Sequence, residues 1–187
     1  GVQNYIDLFT PGSVKFQEFW NSMRVTVEFV VYSVPPLVLI PLFLAVLLNA
    51  KVPGREFFRS VLFAPWVLSC AVISLIWWWI FQSQGGLLNS YLDQIGLPTP
   101  RWLSTMPYAM VTIVVATIWW TMGYNMVILL AALQDIPEYL YEAASIDGAS
   151  PLRILTSIIV PMSTPVIIAV ALFHMVFAWN DFFAPLI

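Results

Sequence analysis

Long apolar segments separated by short polar ones dominate the sequence. A helix rises about 1.5 Å per residue, so around 20 apolar residues cross a hydrocarbon core of about 30 Å. Segments of that length run over residues 25–48, 60–81, 108–133 and 162–183. They lack the strict alternation of apolar and polar residues that barrel strands require. The pattern therefore predicts an all-α, polytopic membrane protein with four transmembrane helices.

Three prolines, Pro35, Pro36 and Pro41, interrupt the first predicted span. Each proline removes a backbone hydrogen-bond donor, and a backbone group without a partner is costly in lipid. We therefore expect this helix to be kinked or locally unwound, and to pack against protein rather than lipid.

Basic residues in the connectors predict the orientation of the spans. The connector after the first span carries Lys51, Arg55 and Arg59, whereas the connector after the second carries only Arg101. Because cytoplasmic connectors are enriched in Lys and Arg, the first connector and residues 134–161 are predicted to be cytoplasmic. The outer connector contains apolar residues at helical spacing, which predict a short helix on the membrane surface: Leu87, Leu88, Tyr91, Leu92 and Ile95.

The composition supports a membrane protein and excludes other classes. Of the 187 residues, 60% are hydrophobic and 9% are charged, against roughly 25% charged in a soluble globular domain. Seven Lys and Arg residues stand against ten Asp and Glu residues. There is no excess of positive charge to neutralise a phosphate backbone, so nucleic acid is not an expected partner.

The polar stretch between the third and fourth spans is predicted to contain a surface helix. Asp135 suits a cap, Pro137 suits the first turn, and Gly148 suits a helix stop. A second helical stretch opens at Pro151 and leads to Pro161. The apolar residues Leu140, Ala143 and Ala144 leave two interpretations: the helix enters a groove of a partner, or it folds back on the bundle.

Five separated positions in this stretch form a recognisable signature. Glu142-Ala143-Ala144 is followed after three residues by Gly148, and after nine more by Ile158-Ile159-Val160-Pro161. This arrangement resembles the signature of the membrane subunits of ABC importers, with Val160 where the family has leucine. Residues 133–137 and 147–149 are similar to the sugar-type branch of these permeases.

The resemblance implies a permease subunit that imports a sugar or related polyol across a bacterial or archaeal cytoplasmic membrane. Residues 1–187 would form a single permease domain that is a fragment of a six-helix core, without the first and last helices. The ending Trp179-Asn180-Asp181-Phe182 resembles one partner of the usual permease pair and the upstream part resembles the other, so which partner this chain is stays open. The residues expected to couple transport to ATP are Glu142, Ala143, Ala144, Asp147, Gly148 and Pro161.

The partners implied by the resemblance are a second permease subunit, identical or different, cytoplasmic ATP-binding subunits, and an extracytoplasmic solute-binding protein. The chain has no Gly-x-x-x-x-Gly-Lys-Ser/Thr loop, so ATP hydrolysis is expected in a separate subunit. The chain itself is therefore not expected to be an enzyme, and no cofactor or metal is expected.

Polar residues inside the spans are candidates for a substrate path, because they are costly in lipid and usually face a cavity or the bundle. His174, Phe177 and Asp181 share one face of the fourth span, and Tyr124 and Asn125 lie in the third. Hydrogen-bonding groups beside an aromatic ring suit a sugar. Other interpretations remain: His174, Tyr124 and Asn125 could join helices, Phe177 could be packing, and Asp181 could be solvated.

Other classes of protein make different predictions. A proton-coupled secondary carrier would use His174 and Asp181 as a relay, but it would not require the signature from Glu142 to Pro161. An intramembrane enzyme lacks support, because the sequence has neither His-Glu-x-x-His nor Gly-x-Ser-x-Gly. A membrane scaffold would tolerate alanine at His174, Tyr124 and Glu142 alike.

Overall fold

The computed structural model describes residues 2–50 and 53–180, and the regular structure in those ranges is helical. This confirms the predicted all-α class. In chain order the helices are α1 (Val2–Phe9), α2 (Val14–Asn49), α3 (Arg55–Val67), α4 (Cys70–Phe81), α5 (Leu87–Gln94), α6 (Tyr108–Gln134), α7 (Glu138–Ile146), α8 (Pro151–Ile154), a π-helical segment (Leu155–Ile159) and α9 (Val160–Asn180).

Three of the described helical runs are long and apolar enough to cross a membrane. They are α2, α6 and the run Pro151–Trp179, and the bent pair of α3 and α4 makes a fourth crossing if it is counted as one span. The predicted span 25–48 lies inside α2, and 108–133 lies inside α6. The predicted span 162–183 lies in α9 as far as residue 180, and its last residues are outside the described part of the chain.

The second predicted span, residues 60–81, is two helices rather than one straight helix. The axes of α3 and α4 are bent by 97°. α3 ends where the backbone of Leu68 becomes extended, and the N–H of Leu68 donates to the Pro65 carbonyl at 3.2 Å. The hydroxyl of Ser69 then accepts from the backbone N–H of Val72 at 3.4 Å, which starts α4.

The first predicted span remains helical through its prolines. α2 is one continuous α-helix of 36 residues, or about 54 Å. The expectation of local unwinding at Pro35, Pro36 and Pro41 is therefore wrong. The expectation of packing against protein is met at Pro41, which is buried. Pro41 leaves one carbonyl of α2 without its helical donor. A side chain of another helix donates a hydrogen bond to this carbonyl instead.

The core lies between α2 and α6, at the end of the bundle where both helices finish. α9 packs against both helices, and α3 packs against α6. The core cluster consists of Leu42, Ala45, Leu48, Met126, Leu129, Leu130, Leu133, Ile136 and Ile159. Large apolar side chains elsewhere, such as Phe43 and Phe173, are exposed, as a lipid-embedded bundle requires.

At the opposite end of the bundle, the side chain of Asn89 forms three hydrogen bonds. The predicted helix after Gly86 is present as α5, and its one buried residue is this asparagine. The Asn89 amide donates to the carbonyls of Ser83 and Pro100, each at 3.2 Å, and accepts from the indole N–H of Trp102 at 2.8 Å. The position of α5 at the membrane surface stays a prediction.

α3 and α6 approach closely at Gly123. A Cβ added to this glycine would overlap the carbonyl oxygen of Leu62 and lie 2.8 Å from Cα of Phe63. Small residues allow such backbone approach between helices in membranes.

We expect Gly123→Ala to lower the free energy of unfolding by about 1–3 kcal/mol, because the methyl group pushes α3 away from α6. The measurement is the thermal unfolding midpoint of the full-length protein in detergent. Ala131→Val adds bulk at an exposed position of the same helix and is the control, with an expected change within about 0.5 kcal/mol. Equal midpoints for the two variants would show that Gly123 is not a critical contact.

Candidate functional site

The surface helix between the third and fourth spans is α7, over Glu138–Ile146. Gly148, with φ +68°, adopts the left-handed conformation that ends the helix, as predicted. The prediction of Asp135 as the N-terminal cap is wrong. The third span extends through Gln134, so Asp135 caps the end of α6, with its N–H donating to the Ala131 carbonyl at 3.2 Å.

The two faces of α7 differ in their contacts. Leu140 and Tyr141 pack against the core cluster. The opposite face presents exposed side chains at helical spacing: Tyr139, Glu142, Ala143 and Ile146. Ile146 is 86% exposed and Tyr139 is 65% exposed. The interpretation that α7 folds back on the bundle therefore holds for one face, and entry of the exposed face into a partner's groove stays a prediction.

The other predicted coupling residues lie around this helix. Ala144 is half-buried, whereas Asp147 and Gly148 are exposed just beyond the end of α7. Burial raises the pKa of the Tyr141 hydroxyl above its usual value of 10.0, which keeps it neutral at physiological pH. This hydroxyl has no hydrogen-bond partner among the described residues.

A π-helical segment, Leu155–Ile159, precedes the fourth span and was not predicted. The backbone N–H of Val160 donates to the Leu155 carbonyl five residues earlier. Pro161, the last residue of the signature, follows directly and is exposed. Since proline cannot donate, Pro161 is the sequence feature that could have indicated an irregular ladder here.

Two predicted substrate-path residues meet inside the bundle. The Nδ2 atom of Asn125 lies 2.8 Å from Nε2 of His174, and Oδ1 lies 3.1 Å from the same nitrogen. Nδ2 also donates to the backbone carbonyl of Leu37 at 3.2 Å. When Nε2 of His174 carries no proton, Nδ2 of Asn125 donates one hydrogen to the Leu37 carbonyl and the other to Nε2. Asn125 therefore joins α2, α6 and α9.

The bond from Asn125 to Leu37 has a specific cause in α2. In a regular helix the Leu37 carbonyl accepts from residue 41, but residue 41 is a proline and has no N–H. Leu37, Pro41 and Asn125 are all buried, so this carbonyl is shielded from bulk solvent. The side chain of Asn125 supplies the missing donor.

Tyr124 contacts an aromatic residue of α3 that the sequence pattern did not indicate. Its ring stacks on Trp66 of α3, with centroids 4.4 Å apart and an angle of 16° between the planes. Tyr124 is 39% exposed, so part of its surface is not covered by the described residues. The proline before Trp66, at the end of α3, is the signal that could have directed attention to this residue.

The last two candidates are placed differently. Phe177 lies one turn beyond His174 on α9 and is 66% exposed. Asp181 lies outside the described residues. Within residues 2–50 and 53–180, no group of three His, Cys, Asp or Glu side chains could hold a metal ion.

Comparison with known proteins places the chain in a family. Residues 20–187 match the family described as binding-protein-dependent transport system inner membrane component. The trehalose/maltose transport system permease protein MalF of Thermococcus litoralis is 34% identical over 182 residues, which cover 97% of this chain and 60% of that protein. The sn-glycerol-3-phosphate transport system permease protein UgpA of Shigella flexneri is 31% identical over 183 residues, covering 98% and 60%.

Further relatives agree with this placement. The xylose/arabinose import permease protein XacH of Haloferax volcanii is 38% identical over 141 residues, covering 75% of this chain and 44% of that protein. The crystal structure of a bacterial ABC transporter for import of the polysaccharide alginate matches with a TM-score of 0.81 at 23% identity, covering 94% and 61%. The chain thus spans no more than about 60% of the curated relatives described here.

We expect Asn125→Leu to destabilise the protein by about 1–3 kcal/mol, because it leaves the buried Leu37 carbonyl without a donor. Pro41→Ala restores the backbone N–H, so adding it to Asn125→Leu should recover part of the loss. The measurement is the unfolding midpoint of the full-length protein in detergent. Thr121→Val is the control, since its hydroxyl donates only to the Thr117 carbonyl of the same helix. No recovery in the double variant would contradict the role of Pro41.

Proposed function

The chain belongs to the family of binding-protein-dependent transport system inner membrane components, and from this premise we propose that it is the permease part of an ATP-driven sugar importer. The transported solute would be a sugar or a related polyol. The required partners would be a second permease subunit, separate ATP-binding subunits and an extracytoplasmic solute-binding protein.

The observation that carries this proposal is the free face of α7. A short helix with exposed Tyr139, Ala143 and Ile146 presents an apolar stripe on a surface that a membrane does not cover, if residues 134–161 are cytoplasmic. Ala143 lets another backbone approach closely, and Glu142 adds one charged contact. These features suit docking into a groove of an ATP-binding subunit.

The other face of α7 supports transmission of movement into the membrane. Leu140 and Tyr141 pack on the cluster that α2, α6 and the segment before α9 form together. A displacement of α7 would therefore act on all three spans, because close-packed side chains transmit displacement rather than absorb it. ATP and the loaded binding protein must each prefer a different state of the bundle for this coupling to drive transport.

The proposed substrate path uses Tyr124, Phe177 and His174, with Asn125 in a supporting position. Sugars offer an apolar ring face that stacks on aromatic side chains and hydroxyls that form hydrogen bonds. Tyr124 and Phe177 retain exposed ring surface, and His174 is half-buried. Asn125 is buried and already bonded to Leu37, so we assign it to positioning His174 rather than to direct contact with the solute.

The proton-coupled carrier is not supported, because the family of this chain is binding-protein-dependent. Among the described residues, which do not include Asp181, His174 pairs with the neutral amide of Asn125. A membrane scaffold would tolerate substitutions on the exposed face of α7, whereas an importer would lose coupling to ATP hydrolysis.

We expect Ala143→Trp to abolish receptor-stimulated ATP hydrolysis in the complete reconstituted transporter, with at least a 10-fold loss, because the indole prevents close approach of the ATP-binding subunit. The unfolding midpoint of the permease should stay unchanged, since Ala143 is exposed. Ala143→Ser keeps a small side chain at the same position and should leave stimulation intact. Normal stimulation by the Ala143 variant would exclude the docking role of α7.

We expect Tyr124→Ala to raise the KM of receptor-dependent sugar uptake about 10-fold, because an aromatic contact contributes on the order of 1 kcal/mol beyond its area. Tyr124→Phe keeps the ring and its stack on Trp66, so its KM should stay within about threefold of the parent. Uptake would be measured in proteoliposomes containing all subunits. A parental KM for both variants would remove Tyr124 from the substrate path.

A further inference from the structure

A small cavity lies between α2, α3 and α6, at the end of the bundle that carries α7. Its volume is about 110 Å³, and its walls combine apolar, basic and amide side chains. The lining residues are Leu48, Arg55, Glu56, Arg59, Leu130 and Gln134. Neither the coupling helix nor the proposed substrate path uses this cavity.

The charges around the cavity favour an anionic group. Arg55 and Arg59 are four residues apart on α3, so both lie on the same side of the helix. Nε of Arg55 is 3.4 Å from the carboxylate of Glu56, and both side chains are largely exposed. Arg59 is half-buried and has no ion pair among the described residues. One guanidinium charge at the cavity is therefore unbalanced.

The depth of the cavity matches the boundary between apolar spans and polar surface. Leu48 is one residue from the end of α2, Gln134 is the last residue of α6, and Arg55 is the first residue of α3. Phe57 and Phe58, between the two arginines, are 68% and 51% exposed. An arginine near a span end can bury its apolar stem while its charged head stays at the headgroup layer, and the exposed phenylalanine rings beside it offer apolar surface to acyl chains.

We propose that this cavity binds the phosphate of an anionic phospholipid, in the leaflet on the α7 side. Guanidinium groups bind phosphate oxygens through paired hydrogen bonds, and the Gln134 amide offers a further donor. Basic pockets between transmembrane helices on the cytoplasmic side suit anionic headgroups. The exposed Phe57 and Phe58 favour a lipid over a free phosphate, because they offer a surface to acyl chains. The proposal depends on the membrane location of the chain and not on its transported solute.

The test is native mass spectrometry of the full-length protein, purified in detergent and supplied with equal amounts of phosphatidylglycerol and phosphatidylcholine. We expect preferential retention of one phosphatidylglycerol. Each arginine near an anionic surface contributes roughly a fivefold preference, so Arg55→Gln/Arg59→Gln should lower the preference about 25-fold. Glu56→Gln removes the opposing carboxylate and should raise it.

Arg153→Gln is the matched control, because Arg153 is exposed on α8, outside the cavity. Equal retention of both lipids by the parent, or equal losses in the Arg153 variant and the double variant, would overturn the proposal. The proposal would also be overturned if the preference for phosphatidylglycerol stayed unchanged in both Glu56→Gln and the double variant.

Two further arms identify other occupants. Binding of inorganic phosphate that is lost in the double variant, without any preference between lipids, would assign the cavity to a soluble anion instead. Loss of a copurifying ATP-binding subunit in the double variant, with lipid retention unchanged, would assign it to a protein contact. Either result overturns the lipid assignment while leaving the role of α7 to its own experiment.

Discussion

A buried carbonyl without its helical donor is the constraint around which the interior of this bundle is arranged. In hydrocarbon such a group costs several kcal/mol, and no water is present to relieve it. Pro41 creates this situation at Leu37, and Asn125 of α6 resolves it. The same amide contacts His174 of α9. The residue that supplies the donor missing at Pro41 is therefore also the residue that contacts the histidine of α9.

This constraint also explains which parts of the structure the sequence could predict. The spans follow from the cost of exposed polar backbone in lipid, and the stop of α7 follows from the left-handed conformation of Gly148, so both are local properties. The partner of Asn125 is 88 positions away, and no local pattern indicates it. For the same reason the stack of Tyr124 on Trp66 was not predicted, although both residues are visible as polar or aromatic positions in the spans.

The bend between α3 and α4 shows a different limit. Hydropathy counts apolar residues, and residues 60–81 contain no charge that would interrupt a span. The break is marked instead by Pro65, three residues before the extended Leu68, and by the capping hydroxyl of Ser69. Both residues are visible in the sequence. An uncharged run long enough to cross a membrane nevertheless favours the prediction of one straight helix. Backbone hydrogen bonding has to be counted residue by residue in such segments.

In the proposed importer, the two faces of α7 would connect an ATP-binding partner to the proposed substrate path. Tyr141 and Leu140 contact the cluster that includes Met126 and Leu129, the residues of α6 that follow Asn125. In the proposed function, a movement of α7 would act on this cluster, which includes residues of the same helix as Asn125. The amide can keep serving Leu37 while its distance to His174 changes, because the two hydrogens of Nδ2 point to different helices.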